Sequence, residues 1–524
     1  MNRLITSVLF GLVTINTMVL ADPSRPRLVV GIVVDQLRTD YMEYLKGLFG
    51  EKGFKRLIEQ GMYMPDVDFK VDLSDAAAAT AMLYTGAYPN ATGVPGHRIY
   101  DAATKSVVPP LSDPATIGNF TNDTYSPASL RLSTVSDEIA IDGAGVAYVY
   151  SIAPDPQQAI IMAGHAGNSA VWLDEHTGNW ATTTYYKDVP QAMTRRNYDM
   201  PLSVRLDTMQ WKPVLPLERY PGLPAQKRMY PFRYTFPKSD RDVYRNFANT
   251  PLINREVTDL AIDYLSQLNM GRRGDAIDML NIAYTARPYK GVRDGDFRIE
   301  LEDTYVRLDA QLERLFEAID RYVGLNNTLV YLSGTGYYDD SAPNDERYRL
   351  PSGIFSVKRA TSLLNSYLTA RYGNGDYVDT YWDGQVYLDH AEIERKGLDS
   401  REVAQAARDF LVRMSGVADA RTIADILNGQ TEEAERKRRL IDPRNGGDII
   451  LEFSPGWTIS DDLRFPVDTK DIRQSAITTP AFIMGPGIEP RVIGAPVDAT
   501  ALAPTVTGRL RIRSPNGTVS KAVR

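Results

Sequence analysis

Leu28-Val29-Val30-Gly31-Ile32-Val33-Val34-Asp35 is an apolar, mostly β-branched run that breaks only at Gly31 and stops on a carboxylate. A strand with one wet face alternates apolar and polar residues. This one does not, so it reads as a central strand of a parallel sheet covered on both faces. Parallel neighbours need crossover connections and helices on both sides, which points to an α/β architecture. Asp35 falls at the carboxyl end of the strand, the edge where open α/β sheets gather their chemistry.

The remainder of the chain alternates helical and strand patterns. Tyr41 to Gly61 carries Leu45, Leu48, Phe54, Leu57 and Ile58 at helical spacing, interrupted near Gly50-Glu51-Lys52-Gly53. The alanine-rich stretch from Ser74 to Tyr84 is strongly helix-prone, with Ser74 or Asp75 as its N-cap. Further strands are expected at 144–151, 159–165, 276–284, 327–333, 448–453 and 479–484, and further helices at 253–268, 299–323, 400–415 and 500–510. Residues 180–250 are rich in Tyr, Arg and Pro without a clear period, and 350–445 switches to short helices and strands. Both read as insertions capping the carboxyl edge of a mostly parallel sheet flanked by helices.

At 524 residues, 43% hydrophobic and 24% charged, the chain has room for one large domain with insertions. A net charge of −7 without a basic block argues against nucleic acid as a partner. The N-terminus places Arg3 before an apolar run from Leu4 to Leu20, then Ala21 and Asp22. That is the pattern of an export signal over residues 1–21, leaving 22–524 as the mature domain. An uncleaved anchor is the alternative, for which the run is short and carries Thr6, Ser7, Thr14, Asn16 and Thr17. No transmembrane segment is expected after cleavage. The chain has no cysteine, so thiolate metal sites and thiol nucleophiles are excluded and the fold relies on its core.

Several stretches carry a resemblance. They are Val33-Val34-Asp35-Gln36-Leu37-Arg38-Thr39-Asp40-Tyr41, Tyr84-Thr85-Gly86, Gly93-Val94-Pro95-Gly96, Ala163-Gly164-His165, Glu300-Leu301-Glu302-Asp303-Thr304-Tyr305, Ser454-Pro455-Gly456-Trp457 and Ala503-Pro504-Thr505. In this order, and over nearly the whole mature chain, they resemble the periplasmic, phosphate-irrepressible alkaline phosphatases of the alkaline phosphatase superfamily. The resemblance implies an alkaline-phosphatase-like fold, a periplasmic location and a two-zinc centre. In that centre aspartates and histidines hold the metals and a threonine attacks phosphorus.

The resemblance also assigns positions. Asp35 falls on the first metal ligand, but the nucleophile falls on Ala76 in Ala76-Ala77-Ala78-Ala79-Thr80. An Asp-x-x-x-His ligand pair falls on Pro288 and Val292, an Asp-His pair on Thr335 and Gly336, and the last histidine near Thr469. The basic phosphate clamp falls on Asp155 and Gln157, and a phosphate-binding asparagine on His97. Of the metal set only Asp35 is left. The four histidines, His97, His165, His176 and His390, stand in no metal-ligand spacing.

The expectation is a degenerate, catalytically inactive member without a cofactor. It would be a binding or scaffold component whose partner is a protein or an envelope component. The alternative is a phosphomonoesterase or phosphodiesterase with a rewired site using zinc or another divalent metal. That needs new carboxylates, from Asp72 and Asp75 beside Ser74 or from Asp339, Asp340, Asp345 and Glu346. Helix capping is the simpler role for Asp75, a solvated loop for 339–346, and Thr80 lies one helical turn from Ala76.

Overall fold

The computed structural model describes residues 25–73, 75–223, 231–274, 276–292, 296–338, 351–464, 467–472 and 477–523. The expected export signal, Ser74 and the acidic residues of 339–346 lie outside them. The main sheet is built from β1 (Leu28–Asp35), β2 (Met62–Met64), β3 (Gly118–Asn119), β4 (Val149–Ala153), β5 (Ser169–Leu173), β6 (Trp180–Thr183), β7 (Asp278–Thr285), β8 (Thr328–Gly334), β9 (Ala481–Met484) and β10 (Arg491–Val492). Their order is β10-β2-β9-β8-β1-β7-β4-β5-β6-β3. The centre, β8-β1-β7-β4-β5, is parallel. Outside it β9 runs against β8 and β2, and β6 runs against β5 and β3. The sheet is therefore mixed: the expected parallel character holds across its centre and returns at the edge pair β10-β2.

All of β1 is buried. Val29 and Val33 face a cluster that includes α3 (Ala76–Thr85), α5 (Pro156–Ala163) and α8 (Leu502–Leu510). Leu28, Val30, Ile32 and Val34 face the opposite cluster, which includes α1 (Thr39–Leu45), α2 (Phe54–Gln60), α6 (Leu252–Gln267) and α7 (Arg298–Tyr322). The interruption expected near Gly50 separates α1 from α2. It is pinned from α7: Asp309 accepts the Gly50 and Phe54 amides, each at 2.7 Å.

One expected strand is a helix. Residues 159–165 fall within and just after α5, which begins with Pro156 in its first turn, is capped by Asp155 on the Gln158 amide at 2.9 Å, and ends at Gly164 with φ +68°. Ala159 to Ala163 is fully buried, so the run shows no amphipathic period to separate helix from strand. The proline and the capping aspartate were the readable signals.

The two irregular stretches differ. Residues 180–250 open with a main-sheet strand, β6, and then contribute Met193, Leu202, Leu206, Val243 and Phe247 to the α6/α7 side of the core. They pack along the sheet's face, and their apolar spacing follows that surface and not a helix period. The second stretch has a core of its own, with Val357, Leu364, Leu368, Val403, Ala407 and Leu451. Its antiparallel sheet runs Val378–Trp382, Gln385–Leu388, Ile449–Phe453, Val417–Thr422, so it continues beyond the expected boundary at 445.

Close packing against β1 is tightest at Gly31. A Cβ there would lie 2.6 Å from the hydroxyls of both Tyr84 of α3 and Tyr331 of β8. Gly31→Ala is expected to cost about 1–3 kcal/mol by overpacking, read as a lower denaturation midpoint. Gly47→Ala, whose Cβ meets nothing within 4 Å, is the matched control.

A second prediction comes from His165. Helix α4 (Val135–Asp142) opens with a capping box between Thr134 and Asp137. His165 Nδ1 lies 3.2 Å from Asp137 Oδ2, and its Nε2 2.9 Å from the Leu130 carbonyl. The Asp137 hydrogen bond holds the imidazole above its ordinary value of 6.5. Burial pushes the Asp137 carboxyl up, but His165 and the Ala166 and Thr134 amides outweigh it and hold it below 3.8. The raised histidine contributes stability below 6.5 that fades as pH rises through its folded value. The lowered aspartate contributes above 3.8 and fades as pH falls. The stability lost in His165→Ala is therefore expected to peak between pH 3.8 and 6.5 and to shrink on either side, in denaturation measured across pH.

Candidate functional site

The parallel register sets Asp35 opposite Thr285 at the end of β7, and β8 ends beside them at Gly334. Three strand ends thus meet at one point on the carboxyl edge. Asp35 is 3% exposed. Its backbone carbonyl accepts the Ala286 amide at 2.8 Å. Its Oδ1 accepts the Thr335 hydroxyl at 3.3 Å, and the same hydroxyl accepts the Gln36 amide at 3.0 Å. Arg287 completes the arrangement, with Nη2 at 3.2 Å from Asp35 Oδ2. The guanidinium is held on two other sides, by Nε on Thr285 Oγ1 at 3.0 Å and Nη1 on Asn249 Oδ1 at 3.0 Å.

Sequence reasoning did not single out Arg287. Its signal was its place, the second residue after a core strand and next to Pro288. Pro288 is buried, Val292 is half-buried, and Tyr289 packs edge-on to Trp211 and Tyr234 at centroid distances of 5.2 and 4.8 Å. Gly336 follows Thr335 with φ +64°, and a Cβ there would run into the Phe69 ring at 2.4 Å. Only backbone without a side chain fits at that position.

The second group surrounds the start of α3. Asp75 is its N-cap and accepts the Ala77 and Ala78 amides at 3.0 and 3.2 Å. The backbone N–H of His97, from a separate loop, donates to the other carboxylate oxygen. Burial pushes the Asp75 carboxyl above its ordinary range, against the pull of the His97 and Ala78 amides. His97 Nδ1 lies 3.6 Å from Asp155 Oδ2, and its carbonyl accepts Gln157 Nε2 at 2.6 Å. The structure thus brings Asp75, Ala76, His97, Asp155 and Gln157 into one group. Thr80 is committed elsewhere: its hydroxyl donates to the Ala76 carbonyl at 2.7 Å and accepts Gln158 Nε2 at 3.2 Å.

The loop after His97 is also where the second insertion docks. Trp382 Nε1 donates to the Arg98 carbonyl at 3.2 Å, and the Tyr100 hydroxyl to Asp379 at 2.6 Å. Lys105 pairs with Asp389 at 2.8 Å and Asp379 at 3.3 Å. These partners are hundreds of residues away in sequence, and no local pattern announces them.

Among the described residues, a divalent metal does not fit the side chains at the positions the resemblance assigns to its ligands. Asp35 already faces a guanidinium, and Ala76, Pro288, Val292 and Gly336 offer no side-chain donor. The other histidines have other partners or places. His390 Nε2 lies 2.8 Å from Asp448 Oδ1 in the insertion, and the His176 amide donates to Asp174. Among the described residues one carboxylate cluster, Asp419, Glu433 and Glu452, has metal-like spacing. Arg421 bonds the first two at 2.7 Å each and Lys437 holds the third, so protein cations already neutralise it.

Comparison with known proteins places this fold. The type I phosphodiesterase / nucleotide pyrophosphatase family matches residues 29–474. The chain is 27% identical to alkaline phosphatase PhoV of Synechococcus elongatus, covering 95% of this chain and 92% of that one. It is also 27% identical to alkaline phosphatase PafA of Elizabethkingia meningoseptica, covering 95% and 94%. A crystal structure of wild-type alkaline phosphatase PafA superposes with a TM-score of 0.82 over 95% of this chain and 98% of that one. From the central parallel strands to the flanking helices, the chain belongs to the type I phosphodiesterase / nucleotide pyrophosphatase family, within the alkaline phosphatase superfamily.

Proposed function

We propose that this chain is a catalytically inactive member of its family, an exported, periplasmic protein that serves as a binding or scaffold component for a protein or another part of the cell envelope. One observation carries the reading: the Arg287 guanidinium sits on Asp35, the single carboxylate left of the expected metal set. A hydrolase of this family needs an oxygen nucleophile and cations that stabilise the attacked phosphoryl group. Ala76 offers a methyl group, and the residues at the expected phosphate clamp, Asp155 and Gln157, carry no positive charge. Such parts act as a unit, so the loss of several leaves little for any one survivor to do.

The fold's persistence over 95% of the chain at 27% identity supports a role that needs the scaffold. Export is supported by the N-terminal pattern, and no helix among the described residues is long and apolar enough to cross a membrane.

The direct test uses the purified mature chain, with bound zinc measured by elemental analysis and turnover assayed on an aryl phosphate and an aryl phosphodiester. The expected result is substoichiometric zinc and no hydrolysis above background. Stoichiometric zinc with turnover abolished by Asp35→Ala would overturn the reading in favour of a rewired phosphoesterase.

The ion pair itself can be tested by a double-mutant cycle. Arg287→Met leaves a buried carboxylate without its cation and is expected to cost about 1–3 kcal/mol, reduced from the fully buried case by the arginine's partial exposure. Asp35→Asn in the same chain should recover part of that loss. Simple additivity of the two changes would show that the pair is not coupled.

A further inference from the structure

The second insertion carries a cleft of about 550 Å³, within the range of about 300–1,000 Å³ typical of small-ligand sites. One wall is the helix Val357–Tyr372, which presents Ser362 and Asn365, and the other is the strand Val378–Trp382, which presents Asp379 and Thr380. Leu463 and Arg464 complete the lining. The strand stands at the edge of its sheet, where free backbone groups would invite another strand. Side chains take those groups instead. Asn365 Oδ1 accepts the Tyr377 and Val378 amides at 2.7 and 3.3 Å, and Arg464 Nη1 donates to the Tyr381 carbonyl at 3.2 Å. They block the strand addition by which a peptide would extend the sheet.

The charges in the cleft are also matched within the protein. Arg464 pairs with Asp461 at 2.8 Å, its Nη2 reaches Thr380 Oγ1 at 3.2 Å, and its guanidinium carbon lies 4.9 Å from the Trp382 ring centroid. Asp379 accepts the Tyr100 hydroxyl at 2.6 Å and faces Lys105 at 3.3 Å. A charged ligand would have to displace one of these partners. The groups left over are neutral. The Ser362 hydroxyl has no hydrogen-bond partner among the described residues. Asn365 Nδ2 has contacts at 3.4 and 3.5 Å, which stand at the limit of hydrogen bonding. Leu463, 39% exposed, adds an apolar wall. Donors and acceptors beside an apolar surface suit a sugar, whose hydroxyls do both while its C–H face packs on hydrocarbon.

We propose that this cleft, between the helix Val357–Tyr372 and the edge strand Val378–Trp382, binds a neutral saccharide. Ser362 and Asn365 hydrogen-bond its hydroxyls, Asp379 accepts from one of them while held by Lys105 and Tyr100, and Leu463 packs against its C–H face. None of the lining residues belongs to the groups at Asp35 or Asp75, so the site stands whether or not the carboxyl edge has chemistry.

The experiment is a saturation-transfer NMR titration of the full mature chain with cellobiose, maltose and N,N′-diacetylchitobiose, and with digalacturonate as a charged disaccharide. At least one neutral disaccharide is expected to bind with a Kd of about 1 mM or tighter, and at least about ten-fold more tightly than digalacturonate. Ser362→Tyr fills the cleft from an exposed helix position and should weaken that binding by at least about ten-fold. Ala370→Tyr, exposed on the same helix but outside the lining, should leave it unchanged. If Ser362→Tyr does not unfold cooperatively, Leu463→Ser, which removes the apolar wall, is read in its place with the same expectation. Binding by none of the three neutral disaccharides overturns the proposal. So does digalacturonate binding as tightly as they do, or an unchanged Kd in a folded cleft variant. Phosphoester turnover is read in the separate assay of the preceding section, so the two readings fail independently.

Discussion

Every residue of β1 is buried, so its backbone groups must be satisfied by β7 and β8 and its side chains by helices on both faces. That constraint orders the molecule. It sets the parallel register, and the register brings the ends of three strands together at Asp35, Thr285 and Gly334. A strand buried to its last residue delivers its terminal carboxylate into a poorly solvated place. A charge there needs a partner, and Arg287 supplies it with Thr335 beside it.

The same logic governs the opposite face. Asp75 and Asp155 each begin a buried helix: Asp75 spends its carboxylate on backbone amides, and Asp155 sets one oxygen on the Gln158 amide and the other beside His97. The alanines of α3 then suit a helix packed under a sheet, since alanine is the best helix former and glycine is less favourable by about 1 kcal/mol. Thr80 and Thr85 direct their hydroxyls to carbonyls one turn back, so both of these donors are satisfied within the helix. The two carboxylates are thus turned toward the protein, Asp35 to a guanidinium and Asp75 to backbone amides. The second insertion adds to this by docking on the loop that carries His97, through Trp382, Tyr100 and Lys105.

Much of the fold was legible because its signals are local. The period of β1, the stripe on α7 and the caps around the alanine run survive inspection of a short window. The failures had one cause. Ala159 to Ala163 are buried all round, so their pattern carried no period, and that burial comes from packing against α3 and the sheet. Residues 180–250 showed no period for a related reason, because they pack onto the core along its face. Strand Ile449–Phe453 was visible as a strand, but only pairing with Gln385–Leu388 and Val417–Thr422 assigns it to the insertion.

The site divides in the same way. That Ala76 carries no hydroxyl, that Pro288, Val292 and Gly336 offer no ligand, and that no cysteine exists anywhere are facts of residue identity, complete in the sequence. Which groups neutralise the survivors is not. Thr335 reaches Asp35 across 300 residues of chain, and Gln157 reaches His97 across 60. Such contacts are set by strand register and helix docking, which depend on the whole core. The sequence by itself determined the architecture and which residue types stand at the positions expected to be reactive. Only the tertiary structure decided that Arg287 stands against Asp35 and that the His97 amide closes on Asp75, because a charge pair in a buried edge is chosen by packing and not by any local pattern.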